Sequence, residues 1–207
     1  MTALLTGVLI LVVVPGAIVS AAAKSPQEIV QDTSDKVLKI INNRGKELEK
    51  DAEARIKLIN KILMPAIDFQ AFSQLVLGVN WRTATPEQRK RFMQTFKHML
   101  VRTYTKSLSD YAGTEVTVLP PRGEQGDEYR TVYTEIRTGQ SQAPLRVNYS
   151  FRFTDGHWKA YDMTIDGLSL VKNFRTSFDN EIERNGLDAL IERLERGGQG
   201  LAPKAPH

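Results

Sequence analysis

Residues 145–178 constrain the fold more than any other stretch. Leu145, Val147, Tyr149, Phe151 and Phe153 alternate with Arg146, Asn148, Ser150, Arg152 and Thr154. That is the two-residue period of a strand with one greasy and one wet face. Asp155-Gly156 suits a two-residue hairpin turn. Beyond it, Tyr161, Met163 and Ile165 alternate again. Asp166 is then placed to cap a helix at a turn that Gly167 permits, and Leu170, Val171, Phe174 and Phe178 recur at helical spacing. Strand, turn and helix thus present apolar faces to one shared interior.

The N-terminal half reads as helices. Ser25-Pro26-Gln27-Glu28 is a capping box with proline at the first helical position. The helix it opens is expected to end near Asn43, before Gly45. A second helix runs from Asp51, with Ile56, Ile59 and Leu63 inward, to Pro65. Asp68 caps a third over 69–77, closed by Gly78, and Trp81 is expected to pack on the helix junction. Thr85-Pro86-Glu87-Gln88 is a second capping box. It opens a helix expected to reach Ala112, about 40 Å at 1.5 Å per residue. Its stripe is Phe92, Phe96, Met99, Leu100, Tyr104, Leu108 and Tyr111, and Arg89, Lys90, Lys97, Arg102 and Lys106 lie opposite. Strands follow around Val116 and Val118, then over 128–137, 145–154 and 157–165, and helices over 168–185 and 187–196. The class is α+β, with helices wrapped around a twisted antiparallel sheet of about four strands.

Leu4–Val14 is an apolar run of about eleven residues followed by Pro15-Gly16 and Ala21-Ala22-Ala23. It falls short of the roughly 20 residues that span a bilayer. It reads as a secretory signal over 1–23, although no lysine or arginine precedes it. The expected domain is 24–196, and the Gly/Ala/Pro-rich residues 197–207 read as a disordered tail. There is no cysteine, which excludes disulfides, thiolate catalysis and sulfur-ligated zinc. The 207 residues carry a formal net charge of +4, all of it beyond residue 23. This mild excess favours anionic lipid headgroups or acidic partners and does not by itself argue for nucleic acid.

No catalytic or metal constellation stands out, and no cofactor is expected. Gly167-Leu-Ser169-Leu-Val171 resembles a hydrolase nucleophile elbow, but Val171 stands where the second glycine belongs. The three histidines, His98, His157 and His207, lack metal-ligand spacing, and none is placed to serve Ser169 as a base. What remains is apolar surface. Tyr104, Leu108 and Tyr111 can face Tyr149, Phe151 and Ile165, with Leu168, Val171 and Phe174 closing the side. Such residues fill a core as readily as they line a pocket, and residue types alone favour the packed core.

A resemblance changes the balance. Residues 158–178, together with Leu63-Met-Pro-Ala-Ile-Asp-Phe69, Leu77-Gly78, Trp81-Arg82 and Pro86-Glu-Gln-Arg-Lys-Arg-Phe92, are similar to the two signature halves of the MlaC family, also called toluene-tolerance auxiliary proteins. The resemblance covers about residues 28–194; Phe174 departs from it, standing where a tyrosine is expected. It implies a periplasmic phospholipid carrier, soluble once its signal is removed, that is not an enzyme. It implies an apolar cavity between sheet and helices for acyl tails, with the headgroup at its mouth. The lining residues would be Leu100, Tyr104, Leu108, Tyr111, Val116, Val147, Tyr149, Phe151, Met163, Ile165, Leu168, Val171 and Phe174. Arg89, Lys90, Arg102, Lys106 and Lys172 would steer docking. The implied partners are a diacyl glycerophospholipid, an inner-membrane ABC-transporter complex with an MCE-domain subunit, and an outer-membrane lipoprotein–porin complex. A lipid-free adaptor and a secreted hydrolase using Ser169 are the rival readings.

Overall fold

The structure, a computed structural model, describes residues 23–105, 108–138 and 143–201. The expected signal up to residue 22, the docking candidate Lys106, the side chain of Leu108 and the tail beyond 201 lie outside them. Helix α1 (Pro26–Lys50) opens on the expected capping box: the Ser25 hydroxyl accepts from the Glu28 N–H while the Glu28 carboxylate accepts from the Ser25 N–H. It runs past Gly45 to Lys50. A helix-interior glycine costs only about 0.5–1 kcal/mol, and Gly45 and Leu48 are both buried, so packing carries the helix through. Asp51 leaves helical geometry and caps α2 (Ala52–Ile62) through the Ala54 N–H. A 3₁₀ turn over Met64–Ala66 accommodates Pro65. Next come α3 (Phe69–Leu77), capped by Asp68 and ended by Gly78 at φ 55°, and the short α4 (Asn80–Thr83).

Helix α5 (Pro86–Tyr104) starts at its capping box but stops eight residues before Ala112. Thr105 turns out at φ −118°, ψ 18°, and its hydroxyl bonds back to the Val101 carbonyl. Threonine offers the backbone this competing partner. Leu108–Tyr111 forms a separate 3₁₀ turn docked on α1, where Asn42 Oδ1 accepts from the Gly113 N–H.

The sheet is antiparallel and ordered β1 (Glu115–Val118), β2 (Tyr129–Arg137), β3 (Leu145–Thr154), β4 (His157–Ile165), β5 (Leu168–Ser169). Asp155 and Gly156 both take positive φ, the geometry of the expected hairpin turn. The two-residue β5 is an addition to the four expected strands. Asp166 and Gly167 form a second tight turn, also at positive φ, which pairs Leu168 with Ile165. Asp166 therefore does not cap the next helix; its carboxylate accepts from the Arg146 N–H. The cap is Ser169, and α6 (Leu170–Asn185) begins two residues later than expected. Helix α7 (Leu187–Glu195) follows Gly186. Residues 197–201 correct the expected tail. Leu201 is 3% exposed, and its carbonyl accepts from the Ser177 hydroxyl, so the ordered domain extends past 196.

Two apolar cores result. Helices α3–α7 enclose Phe72, Val76, Leu77, Trp81, Phe92, Phe96, Met99, Phe174 and Phe178. Val132, Phe151 and Trp158 of the sheet enclose Val30 of α1 in a smaller one. The halves join at the outer edge of β4: the Asp68 N–H donates to the Ala160 carbonyl, and Arg152 reaches Asp68 Oδ2 at 2.7 Å. One carboxylate thus caps α3 and ties it to the sheet.

Candidate functional site

The strand period places Val116, Val147, Tyr149, Phe151, Met163 and Ile165 on one sheet face. The register confirms it: Thr134 opposes Val147, Val132 opposes Tyr149, and Tyr149 and Val147 oppose Met163 and Ile165. A bulge after Ser150 shifts β4 by one residue, which keeps Ala160 and Trp158 on the same face beside Phe151 and Phe153. Val147 and Phe151 are buried; Val116, Tyr149, Met163 and Ile165 are half-buried. Burial raises the Tyr149 phenol above its ordinary value, opposed by a hydrogen bond with Thr134. It is therefore a neutral group on an apolar wall.

The helix over that face is α1, not α5. Leu100 and Tyr104 pack on the helical core, with Val171 and Phe174 buried inside it, whereas Ile29 and Val30 pack against Val132, Phe151 and Trp158. The reason is geometric. At 25 residues α1 is about 37 Å long and spans the sheet, while α5 stops at Tyr104 and spends its phenylalanine stripe on α3 and α6. The expected pairing of Tyr104 and Tyr111 with Phe151 is replaced accordingly. Tyr111 and Leu168 are 44% and 56% exposed.

Two partly open clefts lie among the helices. A void of about 70 Å³ is lined by Val37 and Ile41 of α1, by Leu58, Ile59, Ile62 and Leu63 from α2 and its end, and by Arg55 and Thr105. A larger one, about 330 Å³, opens between α2, α5 and α7. Around the smaller void every aliphatic side chain of α2 is half-buried, and the buried residue of that helix is Arg55. An amphipathic helix normally buries its apolar stripe; this one holds its stripe against unfilled space. The helical spacing of these residues was visible in the sequence, where it reads as ordinary core.

The proposed docking residues separate. Lys90 and Lys172 are exposed. Arg89 is engaged, donating to the Trp81 and Arg82 carbonyls with its guanidinium 5.3 Å from the Trp81 ring centre. Arg102 borders the larger void. Ser169 is held by structure. Its hydroxyl donates to Asp162 Oδ2 at 2.7 Å and accepts from the Lys172 N–H, while Asp162 Oδ1 accepts from the Val171 N–H. Asp162 thereby anchors the start of α6 to β4.

Helices over one antiparallel sheet, with half-buried aliphatic residues around internal space, define an α+β domain suited to apolar ligands. The chain belongs to the MlaC family: the family model, described as MlaC protein, matches residues 31–196. It is 29% identical over 189 residues to the toluene tolerance protein ttg2D of Pseudomonas putida, covering 91% of this chain and 86% of that protein. It is 22% identical over 177 residues to the intermembrane phospholipid transport system binding protein MlaC of Haemophilus influenzae, covering 84% and 83%. The phospholipid-binding protein of Ralstonia solanacearum, solved in complex with a phospholipid, superposes with a TM-score of 0.78 at 27% identity. That match covers 86% of this chain and 99% of the other. Among the described residues, no helix is long and apolar enough to cross a membrane.

Proposed function

We propose that this protein is a periplasmic phospholipid carrier that takes glycerophospholipid between an inner-membrane MCE-domain ABC-transporter complex and an outer-membrane lipoprotein–porin complex, and so maintains outer-membrane lipid asymmetry. It works by binding and release, without bond making. The observation that carries the reading is the Ralstonia protein: nearly all of a fold solved with phospholipid aligns on this chain. The aliphatic lining from α1 and α2, half-buried except at Ile41, supports it. Two long acyl chains cost on the order of 20 kcal/mol to expose to water, at about 0.8 kcal/mol per methylene. A carrier offsets that cost by offering a dry surface.

The two voids are smaller than such a lipid needs. Loading therefore requires the α1–α2 hairpin to move away from α5 and the sheet, widening the space that Leu58, Ile59, Ile62 and Leu63 already border. Half-buried side chains lose little when such a gap opens, and tails filling it recover the contact. Native mass spectrometry of the exported protein, with chloroform–methanol extraction, is expected to find co-purified phospholipid. A protein that is empty in both measurements supports the lipid-free adaptor instead.

Docking to the two membrane complexes is assigned to exposed cations. Lys90 and Lys172 are free to act in this way, whereas Arg89 is held by its carbonyl partners. Lys90→Glu with Lys172→Glu is expected to slow lipid transfer between reconstituted donor and acceptor complexes several-fold, with bound lipid unchanged. Electrostatic steering acts on association rate and weakens with salt. Equal transfer rates in both proteins at low salt remove the role.

A further inference from the structure

The larger void holds a charge arrangement that carrying acyl chains does not require. Arg55 is 8% exposed. Its Nη1 donates to the Leu48 and Glu49 carbonyls at 2.7 and 2.6 Å, which caps the end of α1. Its Nε–H is buried with no partner. No carboxylate pairs with it among the ion pairs of the described residues. The carbonyl end of α1 offsets part of this buried charge, but with no carboxylate beside it the arrangement costs more than a hydrophobic residue in the same place. Arg55 borders the void from α2, and Arg102, His98 and Thr95 border it from α5. Arg102 is fitted against the chain after α7, where a Cβ at Gly197 would overlap its guanidinium. The carboxylate on this wall, Glu195, is held by Arg91 at 3.0 Å.

We propose that the void between α2, α5 and α7 is a phosphoryl-binding pocket in which Arg55 and Arg102 hold the anion and His98 stands at the mouth. Two arginines that border one void from separate helices suit a tetrahedral group with several acceptor oxygens better than a planar carboxylate, which one guanidinium satisfies alone. The volume of about 330 Å³ admits such a group together with the start of whatever it is esterified to. Arg55 also borders the smaller, mostly aliphatic void, so a phosphoryl group here lies beside space for a hydrocarbon chain. Its source is either the headgroup of a carried lipid, which rests on the carrier reading, or a free phosphate species, which does not.

The test uses the full exported chain as wild type, Arg102→Gln and Arg55→Gln. Inorganic phosphate is titrated calorimetrically into delipidated protein, and phospholipid retained through purification is counted by native mass spectrometry. If free phosphate is the ligand, wild type binds it and Arg102→Gln binds at least about tenfold more weakly, the low end for losing a charged donor. If the headgroup is the ligand, phosphate alone gives no heat and Arg102→Gln retains at least tenfold less phospholipid. Should Arg55→Gln fail to fold, Arg102→Gln decides alone. Phosphate binding that depends on Arg102 in a protein carrying no phospholipid keeps the pocket and removes the carrier reading. An Arg102→Gln protein equal to wild type in both measurements, or a wild type that binds neither probe, overturns the pocket.

Discussion

Phe96→Ala is expected to lower folding stability by about 3–5 kcal/mol, the range for truncating a fully buried aromatic residue. Phe96 is fully buried at the centre of the helical core. Its ring lies 5.0 Å from Phe174, 5.2 Å from Phe178, 5.3 Å from Phe92, 5.5 Å from Phe72 and 5.9 Å from Phe69. Those neighbours come from α3, α5 and α6, so one side chain couples three helices. None of them can fill the gap without leaving a partner, which puts the cost at the cavity-dominated end. For a domain of this size each kcal/mol moves the midpoint by about 2–4 °C, so thermal melting should begin roughly 6–20 °C lower. Phe153→Ala is the control. That ring is 43% exposed and touches Trp158 alone among the aromatic residues, so its loss should cost about 1 kcal/mol. Equal melting temperatures for the two variants would show that the six-ring cluster is not what holds the helices together.

Local chemistry made most of the elements legible in the sequence. Both capping boxes, the Asp68 cap, the Gly78 stop and the Asp155-Gly156 hairpin are decided within a few residues, and each forms where its residues indicate. So does the shared face of Val147, Tyr149, Met163 and Ile165, because strand period fixes it. Three boundaries turn on contacts that residue type and spacing do not announce. Gly45 stays helical because its position is packed. The helix at Thr105 breaks where a side chain competes for the backbone and the following turn docks on Asn42. Ser169 displaces Asp166 as the cap because Leu168 pairs with Ile165. The site was less legible for the same reason. Periodicity shows that a helix has an apolar stripe but not which partner receives it. The stripe of α5 goes to α3 and α6, α1 takes the sheet, and the aliphatic residues left bordering space belong to α2. Arg55 lies within that helix as one charge among many, and only the fold reveals that it is buried.

Ile59→Glu is expected to cut co-purified phospholipid at least tenfold while the protein stays folded. Ile59 borders the smaller, mostly aliphatic void together with Ile41, Leu58 and Ile62. It is half-buried, so in the empty protein a carboxylate there can turn to water, and the fold loses little. Acyl tails would close that route. The carboxylate must then lose its hydration or take a proton, at a cost of several kcal/mol, and each 1.4 kcal/mol is a factor of ten in loading. Ile59→Leu keeps volume and polarity and should load as wild type does. The measurement is lipid per protein by native mass spectrometry, with far-UV circular dichroism and thermal melting as the check on folding. Met163→Glu applies the same charge to the sheet wall. Loss in Ile59→Glu alone places the tails among the helices, and loss in both places them across α1–α2 and the sheet. Full loading in both variants would mean that neither wall touches the tails, and the route through a displaced α1–α2 hairpin would have to be abandoned.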